Sequence, residues 1–161
     1  MNYCIFCMEP LNDTAECCPH CGKAQRITAP AHHLKPGTRL AGRYLVGCAL
    51  GEGGFGITYL GRDEKLDMHV AVKEYYPKGY ANRANTVSAK VECAAEGENR
   101  AVFEKGRERF LREARSLAKF SGEAGIVDVR DFFEENNTAY IVMEYLEGET
   151  LAAYLKRKGK L

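Results

Sequence analysis

Long apolar runs are missing from this 161-residue chain. No stretch approaches the roughly 18 to 20 residues that a membrane-crossing helix needs. The opening MNYCIFCMEP lacks the basic-then-apolar pattern of an export signal. Charge of one sign is also missing, since 23 Lys and Arg face 22 Asp and Glu, a net of +1. That balance gives no general pull toward nucleic acid or an acidic partner. There is no internal repeat and no low-complexity tract, and the composition excludes collagen, disorder and a disulfide miniprotein. A soluble, cytoplasmic chain is the expectation. Its length suits one modest domain plus an appendage.

Cysteine is scarce beyond residue 21, where only Cys48 and Cys93 occur, but five of the seven crowd the first 21 residues. Cys4-Ile-Phe-Cys7 and Cys18-Pro-His-Cys21 are two CxxC pairs. Each two-residue spacing lets a tight turn present two thiolates to one tetrahedral ion, and two turns complete a four-sulfur site. A disulfide cluster and a redox CxxC are the competing uses. An intracellular setting disfavours the first, and the missing βαβ context disfavours the second. So short a segment cannot bury a useful core, so structural zinc would supply most of its folding free energy. Cys4, Cys7, Cys18 and Cys21 are the expected ligands, with Cys17 competing for the place of Cys18. His20, His32 and His33 are further nitrogen donors, redundant once four sulfurs saturate the ion.

Three parts follow from these shifts: a zinc ribbon over residues 1–22, a Pro- and Gly-containing linker over 23–41, and a domain over 42–161. In the domain, the patterning predicts strands at Arg43–Leu50, Ile57–Asp63 and Met68–Tyr76, with Val70 and Val72 on one face and Ala71 and Lys73 on the other. Lys78–Arg100 is polar and predicted to be an irregular insertion. Glu104–Phe120 places Phe110, Leu111, Ala114, Leu117 and Ala118 on one helical stripe. Strands at Ile126–Phe133 and Thr138–Leu146, joined by Glu-Glu-Asn-Asn, and a helix over Thr150–Lys158 with Thr150 as N-cap complete the order β-β-β-α-β-β-α. The basic run Lys156, Arg157, Lys158 and Lys160 reads as a solvated helix end.

Gly51-Glu52-Gly53-Gly54-Phe55-Gly56 is a GxGxxG motif between two strands rather than before a helix. That context argues against a dinucleotide site, which needs a helix N-terminus for its pyrophosphate. It fits a hairpin whose backbone amides close over a triphosphate, the plainer alternative being a glycine-rich turn. Val70-Ala71-Val72-Lys73 places one ammonium beneath such a loop. Glu113 flanks the helix stripe, about 100° of rotation from its centre, where a carboxylate can reach inward to Lys73. A snorkelling strand lysine, and a glutamate that is solvated or paired with Arg109 or Arg112, are the structural alternatives.

LGEGGFGITYLGRD, VAVKEYYP, FLREARSLAKF and YIVMEYLEGETL together resemble the amino-terminal lobe of a bacterial eukaryotic-like serine/threonine protein kinase, over about Leu40 to Leu161. Some relatives of this kind also carry an N-terminal zinc ribbon. The resemblance implies an α+β small lobe of five antiparallel strands and one main helix, binding ATP with Mg and acting on protein substrates. It implies that Leu50 and Ala71 pack on adenine, that Met143 is the gatekeeper, and that the Glu144 carbonyl and Leu146 amide bind the adenine edge. Thr58 stands where the family usually has valine, adding a hydroxyl. The magnesium ligands are not expected in this chain, because HRD, DFG and APE elements do not occur. Arg130-Asp131 and Asn136 match a catalytic-loop spacing, but Val129 replaces the histidine and the hinge-like segment follows rather than precedes them. They read as strand-end and turn residues. The expectation is a kinase truncated before its catalytic loop, with Lys73 and Glu113 as its catalytic-machinery residues, binding nucleotide without catalysis. The alternative is a non-enzymatic interaction module built from the ribbon and a pseudokinase-like lobe. Zinc ribbons serve nucleic acid, protein or a neighbouring domain. With no basic or aromatic concentration here, a protein partner rather than nucleic acid is expected.

Overall fold

The two cysteine pairs fold as the same turn twice. In the first, Cys4 N–H donates to Glu9 O (2.9 Å) and Met8 N–H to Cys4 O (2.9 Å); in the second, Cys18 N–H donates to Lys23 O (2.9 Å) and Gly22 N–H to Cys18 O (2.8 Å). Met8 and Gly22, each following its second cysteine, both have positive φ. A short ladder of β1 (Asn2–Tyr3) and β2 (Pro10–Leu11) closes the first turn. The computed structural model from which these features come describes residues 2–26 and 28–159. Lys160 of the basic run, and Leu161 where the domain was expected to end, lie outside the described residues.

The main body is one antiparallel sheet of β3 (Arg39–Leu40), β4 (Tyr44–Glu52), β5 (Gly56–Asp63), β6 (Met68–Tyr75), β7 (Val129–Glu135) and β8 (Thr138–Glu144), in the order β3-β4-β5-β6-β8-β7. Five of these are the expected strands. The sixth, β3, lies before the expected boundary at residue 42, and a turn through Ala41 (φ 50°) and Gly42 (φ 60°) folds it back on β4. Two positive-φ residues in succession match the right-handed twist of the flanking strands. Asn136 and Asn137 do the same between β7 and β8.

The main helix, α1 (Glu98–Ala118), starts six residues before the predicted Glu104 and buries Phe103, Phe110 and Ala114, whereas Ala118 is exposed. Gly106 lies inside it because a Cβ there would stand 2.1 Å from the Tyr75 hydroxyl, which itself donates to Phe103 O (3.0 Å). A final helix, α2 (Leu151–Lys158), is capped as expected, with Thr150 Oγ1 accepting from Ala153 N–H (3.1 Å).

Strand alternation gives the sheet two faces. On the outer face, Val46, Tyr59, Val70, Val72, Tyr140 and Val142 form a core with Leu34 and Val91. The expected linker is therefore packed chain: Leu34 and Leu40 are buried, and Leu34 N–H donates to the Tyr59 hydroxyl (2.9 Å). The irregular insertion lies on the same face. Its Arg83 pairs with Glu74 at 2.8 Å, both side chains fully buried, and burial pushes the Glu74 carboxyl up to about 7 against the pull of Arg83. On the inner face, α1 covers one end. The cysteine ribbon covers the other, where Met8 packs with Leu45 and Leu60, and Arg62 Nη1 donates to Met8 O (2.9 Å).

Candidate nucleotide site and cysteine centre

Between ribbon and helix the inner face carries a strip of Thr58, Ala71, Lys73 and Met143, placed side by side by the β5-β6-β8 register: Thr58 lies opposite Lys73, and Ala71 opposite Met143. At one end of the strip stands the glycine hairpin. Its turn is closed by Gly53 N–H to Gly56 O (2.9 Å), and it is tied down by Tyr76 N–H to Phe55 O (3.1 Å) and Lys78 N–H to Gly54 O (3.0 Å). The four glycines have two different reasons. A Cβ on Gly51, Gly53 or Gly54 would meet nothing, so these positions leave room for a close ligand; a Cβ on Gly56 would stand 2.4 Å from Glu74 O, a demand of the sheet itself.

Beneath the hairpin and against α1 is a cavity of about 450 Å³, lined by Gly54, Phe55, Lys73 and Glu113 among others. Four cationic side chains (Lys73, Lys78, Lys105, Arg109) and one carboxylate, Glu113, line it. That excess of positive charge around open backbone suits polyanionic phosphate. Lys73 and Glu113 face the same cavity without forming an ion pair among the described residues. The ammonium instead lies over the Phe110 ring, 5.7 Å from its centroid, and Glu113 is exposed. At the other end of the strip, Leu50 and Leu146 are exposed and the Leu146 N–H has no partner among the described residues. The Glu144 side chain is engaged away from the strip, accepting from Asp128 N–H (2.8 Å). Glu52 also departs from the loop's inner side: its carboxylate meets His32 and His33 on the outer face. Hydrogen bonds from His33 and His32 hold it below the usual carboxylate range. Asp131 and Asn136 take the structural parts read from the sequence. Asp131 accepts from the Tyr44 hydroxyl (2.7 Å), and Asn136 is a turn residue with φ 53°.

The four cysteines Cys4, Cys7, Cys18 and Cys21 converge, with every sulfur within 4.8 Å of the others. Cys4 to Cys21 and Cys7 to Cys18 are each 3.7 Å. A tetrahedron with metal–sulfur bonds of 2.3 Å has edges of about 3.8 Å, so the residues fit a zinc ion. Cys17 is exposed and outside the group. Burial opposes the Cys4 thiolate, but hydrogen bonds from Phe6 N–H (3.4 Å) and Gln25 Nε2 (3.3 Å) outweigh it and bring the thiol down to about 7. Burial and the neighbouring sulfurs push Cys7 up to about 12. Four such sulfurs ionise together only when a cation neutralises them.

Sequence reasoning missed the meeting of His32 and His33 with Glu52, and it missed the ribbon's seat on the inner face. The adjacent histidines were a visible signal for the first. The second has none short of Gly47, a glycine within a strand, where a Cβ would meet Met8 Cε at 2.3 Å and Ile5 O at 2.7 Å.

Comparison with known proteins matches this geometry. A family profile described as the protein kinase domain fits residues 44–161. The serine/threonine-protein kinase PrkC of Bacillus subtilis is 35% identical over 125 residues, covering 78% of this chain and 16% of that protein. Serine/threonine-protein kinase B of Synechocystis is 26% identical over 164 residues, covering 99% of this chain, cysteine segment included, and 23% of its own length. A solved structure described as "PpkA-294 apo form" superposes with a TM-score of 0.70 at 35% identity, over 79% of this chain and 43% of that one. The chain thus spans less than a quarter of the length of these curated relatives. With the glycine hairpin, the strand lysine and the helix glutamate in one cavity, and the profile covering the whole sheet from β4 onward, this chain belongs to the protein kinase family.

Proposed function

We propose that this chain is the ATP-cradling part of a serine/threonine protein kinase, whose whole protein transfers the γ-phosphoryl group of MgATP to Ser or Thr hydroxyls of protein substrates. The observation that carries this reading is Lys73 beneath open glycine backbone, in a cationic cavity that it shares with Glu113. In this reading the amides of Gly51 to Gly56 cover the phosphates and Lys73 orients the α- and β-phosphate oxygens. Leu50, Thr58, Ala71 and Met143 flank the base, and the Glu144 carbonyl and Leu146 amide meet its edge. Glu113 fixes the Lys73 ammonium, which requires that ammonium to leave the Phe110 ring and α1 to bring the carboxylate inward. Such positioning of this helix is a control point in protein kinases. Magnesium supplies charge neutralisation at the phosphates, and no residue here is assigned to it. The 161 residues hold no HRD, DFG or APE element, so they bind nucleotide without transferring phosphate.

In the same reading Cys4, Cys7, Cys18 and Cys21 hold a structural zinc ion. Four protein ligands leave no open position for chemistry, so the ion braces the ribbon. A reducing, cytoplasmic setting keeps those thiols available. Among the described residues no helix is long and apolar enough to cross a membrane.

The test is the affinity of the chain for a fluorescent ATP analogue with Mg, measured for the native sequence and for Lys73→Met. Removing charge-assisted contacts worth about 1.5–3 kcal/mol should weaken binding roughly 10- to 100-fold. Equal affinities, or no binding by the native chain, would overturn the reading.

A further inference from the structure

On the outer face of the sheet, away from the nucleotide strip, two consecutive histidines converge on one carboxylate. His32 Nε2 lies 2.8 Å from Glu52 Oε1, and His33 Nε2 lies 2.9 Å from Glu52 Oε2. All three donor groups fall within 4.8 Å of one another. The nucleotide reading uses none of these side chains, and the cysteine centre is complete without them.

The donors are held from behind by buried chain. His33 is 8% exposed and meets the Tyr59 ring edge-on, with centroids 6.1 Å apart. Its carbonyl accepts from Asn85 Nδ2 (3.1 Å), and the His32 carbonyl accepts from Nη1 of the buried Arg83 (2.9 Å). Arg83 is in turn locked by Glu74 at 2.8 Å. Both imidazoles are thus aimed by the insertion packed beneath them, and Glu52 is fixed by its place at the end of β4.

We propose that His32, His33 and Glu52 form a second metal site, for Zn²⁺ or a divalent ion of similar preference, separate from the four-cysteine centre. Two imidazoles and one carboxylate are a borderline donor set that suits zinc. With bonds of about 2.0–2.1 Å and tetrahedral angles, donor atoms stand about 3.3 Å apart, so the 2.8 Å contact of His32 with Oε1 opens by about 0.5 Å, while His33, which meets Oε2, turns toward the same oxygen within a group whose ligand atoms already lie within 4.8 Å of one another. Three protein ligands leave the fourth position to water. Because Glu52 is the second residue of the glycine motif, an ion here ties the packed segment before the sheet to the start of the hairpin. The metal count is independent of the nucleotide reading; only the effect on the loop's task rests on it.

The experiment is a Zn²⁺ titration of the full 161-residue chain, stripped of metal and kept reduced, against a chromophoric chelator, with elemental analysis after gel filtration. The native chain should hold two ions. Glu52→Gln and His32→Gln, both at partly exposed positions, should each keep the tight ion and bind the second on the order of a hundredfold more weakly. Hydrogen exchange of the Gly51–Phe55 amides should slow with the second equivalent in the native chain and not in either variant. One ion in the native chain, or two ions of unchanged affinity in both variants, would overturn the proposal, as would a second ion that leaves exchange at the hairpin untouched.

Discussion

Met8 closes the first cysteine turn in a left-handed conformation, φ 57°, where the matching position of the second turn is Gly22. A side chain in that conformation costs free energy. Met8 offsets the cost by burial, being 1% exposed between Leu45 and Leu60. Opposite it, Gly47 has no room for a methyl group. Gly47→Ala should therefore destabilise the chain by about 1–3 kcal/mol and loosen the ribbon from the sheet. Chemical denaturation gives the first, and faster exchange at the Cys48 amide, which donates to Ile5 O (2.8 Å), reports the second. A second residue-scale case is Asp63. Hydrogen bonds from Arg43, then from Leu66 and Lys65 amides, hold its carboxyl below the ordinary 3.8. A depressed carboxyl stabilises the fold above its ordinary value, and the contribution is lost as pH falls through the lowered one. The stability gap between the native chain and Asp63→Asn should be full near pH 7 and narrow below about pH 4; a gap that does not change with pH would contradict this. The preference for Cys18 over Cys17 was legible in the two-residue spacing to Cys21, although the adjacent cysteine left a competitor. The turn supports it: Cys18 N–H and O both bond within the second turn, while Cys17 bridges to Ala24 and is exposed.

At the scale of elements, the parts read well from sequence were those whose pattern is local. Glycine hairpin, VAVK strand, amphipathic helix and capped final helix each announce themselves within ten or so residues. The start of α1 did not, since its first residues, Glu98 to Arg100, are polar and read as part of the insertion, and Gly106 occupies the stripe between Phe103 and Phe110 for the sake of Tyr75, a contact across 31 positions of sequence. Likewise β3 went unseen because Ala41, not a usual positive-φ residue, forms half of its turn. The insertion Lys78–Arg100 was legible only as irregular. Its place depends on Arg83 reaching Glu74 and on the buried Val91, and no periodicity encodes such a pairing. The cysteine ribbon makes an element-scale prediction. Cys18→Ser should lose the tight zinc ion and the ribbon's fold, whereas Cys17→Ser should keep both. Metal analysis alongside exchange at the Cys4 and Met8 amides checks it, and the reverse pattern would overturn the ligand assignment.

For the whole molecule, the two faces of the sheet divide the work. The outer face is packed over by the segment around Leu34 and by the insertion, while the inner face carries the proposed nucleotide strip. There α1 and the ribbon stand at opposite ends of the Thr58–Ala71–Lys73–Met143 strip. Tyr145, next to the proposed adenine-edge residues, packs against the ribbon's Met8 cluster and lies 6.1 Å from the His69 ring, whose Nε2 meets Cys7 O at 2.7 Å. The candidate site was legible residue by residue because each motif is short. Its present arrangement, with Lys73 over Phe110 rather than paired with Glu113, was not, since it depends on where a whole helix sits. The most direct measurement is an amide chemical-shift map of the isotope-labelled chain as a non-hydrolysable ATP analogue with Mg is added. Shifts should concentrate at Gly51–Gly56, Ala71, Lys73 and Leu146, and in Lys73→Met they should require roughly 10- to 100-fold more analogue. No shifts at these amides, or shifts confined to the ribbon or the outer face, would contradict the nucleotide reading.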